Sequence, residues 1–190
     1  GTSQVWAFTP RAAVPWTVLL NATGVLRFPA QGPHTLAEQP MLGLMALGSK
    51  LYVLDLQSHK LSALQLAGAI HPSTEITAVA PAVLSPGHIR VLIGGHSKDH
   101  PYGPALFSAT IATASLRTTQ VLDCSLEIDF AKSSNISAVQ AMTVSSVVTD
   151  GQIVAAGLEV GAYYDGDVPP HVWISTAGVS FKALDVALPS

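Results

Sequence analysis

The sequence predicts an all-β protein built as an array of antiparallel four-stranded units. Short runs rich in Val, Ile, Leu, Thr and aromatic residues recur between Gly, Pro, Asn, Asp and Ser, the pattern of many short strands joined by turns. Helical periodicity is poor, and the last third of the chain can be laid over the third before it. A β-sandwich or jelly roll shares the first two signals and stands as the alternative architecture.

Taken in order, the strand-like runs fall at 4–9, 16–21, 25–29, 42–47, 51–56, 61–66, 76–84, 89–94, 105–111, 119–126, 138–149, 152–159, 171–175 and 181–188. The first three surround Ala22-Thr-Gly24, a turn between two apolar runs. Thr35-Leu-Ala-Glu38 has the form of a helix capping box, but Pro40 stops it within about a turn. Leu51-Tyr-Val-Leu-Asp-Leu56 and Leu61-Ser-Ala-Leu-Gln-Leu66 read as two strands across a polar turn. Trp6, Trp16 and Trp173 lie inside strand runs and are expected in the core. Cys124, the single cysteine, is expected as a small buried hydrophobe in a strand and rules out an internal disulfide.

The internal repeat organises the second half. Val83-Leu-Ser-Pro-Gly-His-Ile-Arg-Val overlays Val147-Val-Thr-Asp-Gly-Gln-Ile-Val-Ala, with Gly87 over Gly151 and Ile89 over Ile153. Pro104-Ala-Leu-Phe-Ser-Ala-Thr then overlays Pro170-His-Val-Trp-Ile-Ser-Thr, with Phe107 over Trp173. Each copy reads as strand, tight turn, strand, long loop, strand, turn, strand. This is the meander of a β-propeller blade, whose faces are buried by neighbouring blades. The spacing of about 65 residues exceeds the roughly 40–50 of common blades, and long loops account for the excess. One domain over 1–190 results, with approximate units 1–38, 39–75, 76–130 and 131–190, complete or part of a larger propeller.

Composition narrows the functional classes. Charged residues make up 11% of the chain and apolar residues 48%, yet turn residues interrupt every apolar stretch, so no transmembrane segment is expected. A net charge of −3 without a basic run disfavours nucleic acid. The chain starts at Gly1 and lacks a signal-peptide pattern, so such a segment is expected to be absent or already removed. Asn21-Ala-Thr and Asn135-Ile-Ser are acceptor sequons for N-glycosylation. With few lysines and surfaces made polar by hydroxyls, the composition points to an extracellular or cell-surface protein.

Ser175-Thr-Ala-Gly-Val-Ser-Phe181, preceded by Val172-Trp173-Ile174, resembles the Asp-box repeat of sialidase-like propellers, Ser/Thr-x-Asp-x-Gly-x-x-Trp/Phe. The resemblance covers about residues 137–188, and less fully 76–123. Ala177 replaces the Asp of the motif, and the spacing is one residue short. The resemblance implies a turn between the outer strands of a blade and no catalytic residue.

Two long polar loops join the second and third strands of the repeats. They supply the candidate binding residues His96, Asp99, His100 and Tyr102 in one copy and Tyr163, Tyr164, Asp165 and Asp167 in the other. On a propeller both loops emerge on one face. Tyrosines beside hydroxyl, amide and carboxylate groups suit stacking on a sugar ring or anchoring a protein partner. The imidazoles and carboxylates of His96, Asp99, His100, Asp165, Asp167 and His171 match no metal-binding spacing, so no metal is assigned. No nucleophile elbow, P-loop or dinucleotide fingerprint occurs, and no cofactor is expected. Arg11, Arg27, Arg90 and Arg117 form no recognisable triad for a substrate carboxylate.

The leading expectation is therefore a non-catalytic binding or assembly module that recognises carbohydrate or protein and works as an oligomer or part of a larger assembly. A sialidase-like glycoside hydrolase fragment and a structural shell or fibre protein are the alternatives. Because the first unit starts abruptly in a strand, residues 1–30 are expected to pair with a neighbouring chain or with the last unit near 181–188.

Overall fold

A computed structural model describes residues 1–8, 13–14, 16–28, 42–55, 57–99, 103–112, 114, 120–133, 142–149, 152–160, 171–176 and 180–184. The described chain is all-β. A hairpin of β1 (Thr2–Phe8) and β2 (Trp16–Thr23) precedes three antiparallel meanders. The first comprises β3 (Leu26–Arg27), β4 (Leu42–Leu47), β5 (Lys50–Asp55) and β6 (Lys60–Gly68). The second comprises β7 (Ala78–Ser85), β8 (His88–His96), β9 (Pro104–Ala112) and β10 (Gln120–Asp129). A single helical turn, α1 (Phe130–Ser133), leads to the third: β11 (Met142–Thr149), β12 (Ile153–Val160), β13 (His171–Thr176) and β14 (Phe181–Leu184).

The first two meanders are joined in a way that the repeat pattern did not indicate. Gln120–Cys124 of β10 runs parallel to Leu64–Gly68 of β6, while Ser125–Asp129 pairs antiparallel with β9. A register shift between Leu126 and Ile128 accompanies the second pairing. One long strand thus serves two neighbours with its two halves and merges eight strands into one sheet, β3-β4-β5-β6-β10-β9-β8-β7. Folded over, that sheet encloses a core of Leu44, Leu51, Val53, Leu64, Val91, Ile93, Phe107 and their neighbours.

Residue alternation explains the layering. β5 alternates buried and half-buried positions, Leu51 and Val53 inward against Tyr52 and Leu54, as a strand with one covered face should. β8 and β9 are instead buried almost continuously, because both of their faces are covered. Val91, Ile93, Ala105 and Phe107 enter the first core, whereas Leu92 and Leu106 enter a second core with Val144, Val154, Leu158 and Trp173 of the third meander. The second meander is therefore the middle layer of a stack. Where β8 crosses β11 the backbones come so close that a Cβ on Gly94 would lie 2.8 Å from the Cβ of Val144.

Two tryptophans depart from expectation. Trp173 is buried, but Trp6 is 50% exposed and Trp16 55% exposed. Both belong to the two-stranded hairpin, and among the described residues no second layer covers the face they share. Cys124 is buried in β10 as expected. Among the described residues, β1 takes β2 as its strand partner and β14 takes β13, so no intrachain pairing joins the N-terminal hairpin to the last strand. Residues 35–38, the capping-box segment, lie outside the described residues.

Candidate binding ledge at the end of β8

β8 leaves its sheet at His96, and the segment after it is tied to the connection between β6 and β7. Ile70 bridges Ser97, the Lys98 N–H donates to Ala69 O (3.2 Å), and the His71 N–H donates to His96 O (3.1 Å). Thr77 N–H donates back to Gly94 O at 3.0 Å. Thr74, a buried residue, accepts the His96 N–H through its hydroxyl (2.8 Å), and its own N–H closes a turn on His71 O (3.0 Å). Buried Ser97 accepts the Asp99 N–H at 3.1 Å. Turn residues and Pro72 keep this connection out of a regular strand, and the cross-links hold both segments in one conformation.

The two imidazoles on this ledge have opposite hydrogen-bonding character. His96 Nδ1 lies 3.0 Å from the carbonyl oxygen of Gly103, which can only accept, so Nδ1 carries the proton and neutral His96 presents Nε2 as an acceptor. His71 Nδ1 accepts the N–H of Ser73 at 3.3 Å and lies 3.2 Å from its hydroxyl, so neutral His71 presents Nε2–H as a donor. His71, with Ser49, Lys50, Gln65, Pro72 and Thr74, lines an open cleft of about 340 Å³, and His96 is not part of that lining.

Of the residues singled out from sequence, His96 and Asp99 lie on this ledge, His96 half-buried and Asp99 exposed. His100, Tyr102, Tyr163, Tyr164, Asp165 and Asp167 lie outside the described residues. His71, Ser73 and Thr74 were not singled out. Their signal was the cluster His71-Pro-Ser-Thr-Glu75 between two apolar runs, which marks a turn but not its tertiary neighbour. Among the described residues, no three His, Cys, Asp or Glu side chains gather closely enough to hold a metal ion.

A second cleft, of about 350 Å³, opens between β10 with α1 and the β13–β14 hairpin, and Glu127, Asp129, Lys132, Trp173 and Phe181 line it. Glu127 is engaged from within the sheet: Arg90 pairs with it at 2.6 Å, and the Ser108 hydroxyl donates to the same carboxylate. Asp129 accepts the Lys132 N–H at 3.1 Å and so caps α1. These acids are held in structural contacts.

No helix of the described chain is long and apolar enough to cross a membrane. No protein-family model matches the chain, and no curated protein matches it.

Proposed function

We propose that the chain is a non-catalytic recognition module, with the ledge formed by residues 69–77 and 94–99 as its binding face and hydroxyl-rich groups, of carbohydrate first and of protein second, as its ligands. The observation that carries this reading is the pair His71 and His96, neighbours through a backbone hydrogen bond and opposite in tautomer. A sugar hydroxyl both donates and accepts, so a ledge that carries one donor Nε2–H and one acceptor Nε2 offers both halves of its chemistry. The backbone cross-links lower the ordering cost of binding.

The same reading places the stacked meanders as propeller-like blades and relates the third to the Asp-box repeat. β13 ends at Thr176, β14 begins at Phe181, and Ser175 is the strand partner of Phe181, which suits a motif spanning the turn of the outer hairpin. β14 has one strand neighbour among the described residues, and its Lys182, Ala183 and Leu184 are exposed, an edge at which another chain can add a strand. An extracellular or cell-surface setting accords with this use.

A glycan array probed with the purified chain, and with a His71→Ala, His96→Ala double variant, tests the proposal. Binding that falls at least about tenfold in the double variant is the expected result, about 1.4 kcal/mol. Nitrogen NMR of the free protein should show the His96 proton on Nδ1 and the His71 proton on Nε2. Binding indifferent to both histidines would overturn the ledge. Turnover of fluorogenic glycosides that is lost in Glu127→Gln would favour the hydrolase reading instead.

A further inference from the structure

The hairpin carries the sequon Asn21-Ala-Thr on the same face as its exposed tryptophans. In the β1–β2 register Asn21 stands opposite Gln4, Thr23 opposite Thr2, Val18 opposite Trp6, and Trp16 opposite Phe8. Residues facing each other across an antiparallel pair share a face, and so do alternate residues along a strand. Thr2, Gln4 and Trp6 alternate onto one side of β1, and a register shift between Val5 and Trp6 brings Val18 and Trp16 of β2 to the side that carries Asn21 and Thr23. Every one of these is exposed, Val18 at 43%. The opposite side, with Ser3, Val5, Leu20 and Ala22, is half-buried. The Trp6 indole leans along β1, because its Nε1–H donates to Gln4 Oε1 at 3.2 Å. That bond brings the ring next to the residue directly across from Asn21.

We infer that Asn21 is an N-glycosylation site and that the first sugar of its glycan packs on the Trp6 indole, covering its exposed surface. Two independent observations converge: the sequon presents both its asparagine and its threonine to solvent, and a large aromatic surface lies one residue pair away. The donor is a lipid diphosphate-linked oligosaccharide of a eukaryotic secretory route. Asn21 Nδ2 forms a bond to C1 of the reducing-end sugar, the C1–O bond to the diphosphate breaks, the amide loses one proton, and the lipid diphosphate departs. The C–H face of the attached sugar then finds the apolar indole of Trp6, half of whose surface is exposed. This assignment does not depend on the ledge being a glycan receptor.

The test is secretion of the full chain from eukaryotic cells, with peptide mapping of Asn21 and Asn135 separately, followed by trimming of the glycan to its first sugar. The expected result is occupancy of Asn21, a blue shift of tryptophan emission and a melting temperature about 2–4 °C above that of Asn21→Gln, a gain of about 1 kcal/mol. Trp6→Ala should keep Asn21 occupied but erase both differences, which separates the packing from the modification. An unmodified Asn21 in the secreted chain overturns the inference. So does an occupied Asn21 whose melting and emission match those of Asn21→Gln, or a dimer that buries Trp6 in another copy.

Discussion

Three glycines separate backbone strain from crowding, and alanine at each gives a ranked prediction. Gly48, in the turn between β4 and β5, has φ +57° with no atom within 4 Å of where a Cβ would stand. Gly94 has ordinary φ, but a Cβ there would meet Val144 Cβ and Cγ1 at 2.8 Å and Ala78 Cβ at 3.2 Å. Gly68, at the junction of β6 and β10, combines both: φ is +84°, and a Cβ would lie 2.5 Å from Cys124 O and 2.8 Å from Cys124 N, besides touching Asp123 Oδ1. A left-handed conformation costs an L-residue about 1–2 kcal/mol. Crowding a packed site costs about 1–3 kcal/mol, and alanine recovers about 0.4–1 kcal/mol by stiffening the unfolded chain. Gly48→Ala should therefore lose about 1 kcal/mol and Gly94→Ala about 1–2 kcal/mol. Gly68→Ala should lose about 3 kcal/mol, because its obstruction is backbone that cannot rotate aside. Urea unfolding monitored by circular dichroism reads these as shifts of midpoint at constant slope. A Gly68→Ala loss no larger than that of Gly48→Ala would refute the close parallel approach of β6 and β10.

Other expectations concern the cores and the buried ionisable groups. Phe130 is fully buried, with its ring edge-on to Trp173 at 5.3 Å and 66°, so Phe130→Ala should cost about 3–5 kcal/mol and shift tryptophan emission to the red. Unchanged emission and midpoint would contradict that packing. Arg90→Ala removes the counter-charge of the Glu127 carboxylate, which is only 15% exposed, and leaves it the Ser108 hydroxyl; it should cost about 1–3 kcal/mol, with Arg90→Ala, Glu127→Gln doubly substituted chains losing less than the sum. Strict additivity in the double-mutant cycle would dismiss the pair. Burial pushes the Cys124 thiol up to about 11, against a lowering from the Ala67 backbone and with a further rise from Asp123. The unfolded thiol ionises first, so this contribution to stability is complete below the ordinary thiol range, about 8.5, and is lost as pH rises toward the folded value. Cys124→Ser should flatten stability over that interval, and a slope identical to that of the parent chain would exclude the thiol as its source.

The sequence by itself determined that this chain is made of strands, and nearly where. Runs of β-branched residues between turn residues carry that information locally, as the paired Val83–Val91 and Val147–Ala155 segments show by entering the β7–β8 and β11–β12 hairpins. The polarity of the segment after β8 was equally legible, because His96, Asp99 and their neighbours interrupt an apolar run. What only the tertiary structure decided is which surfaces meet. Trp6 and Trp173 sit in similar apolar strands, yet the first is exposed and the second buried, since burial depends on whether another sheet lies against that face. The partnership of β6 with β10 joins residues more than fifty positions apart in the chain, and hydrogen bonds between backbones leave no mark on side-chain identity. For the same reason His71 and Thr74 looked like an ordinary turn: the bonds that bind them to His96 run through the backbone and one hydroxyl, across a distance that no local pattern encodes.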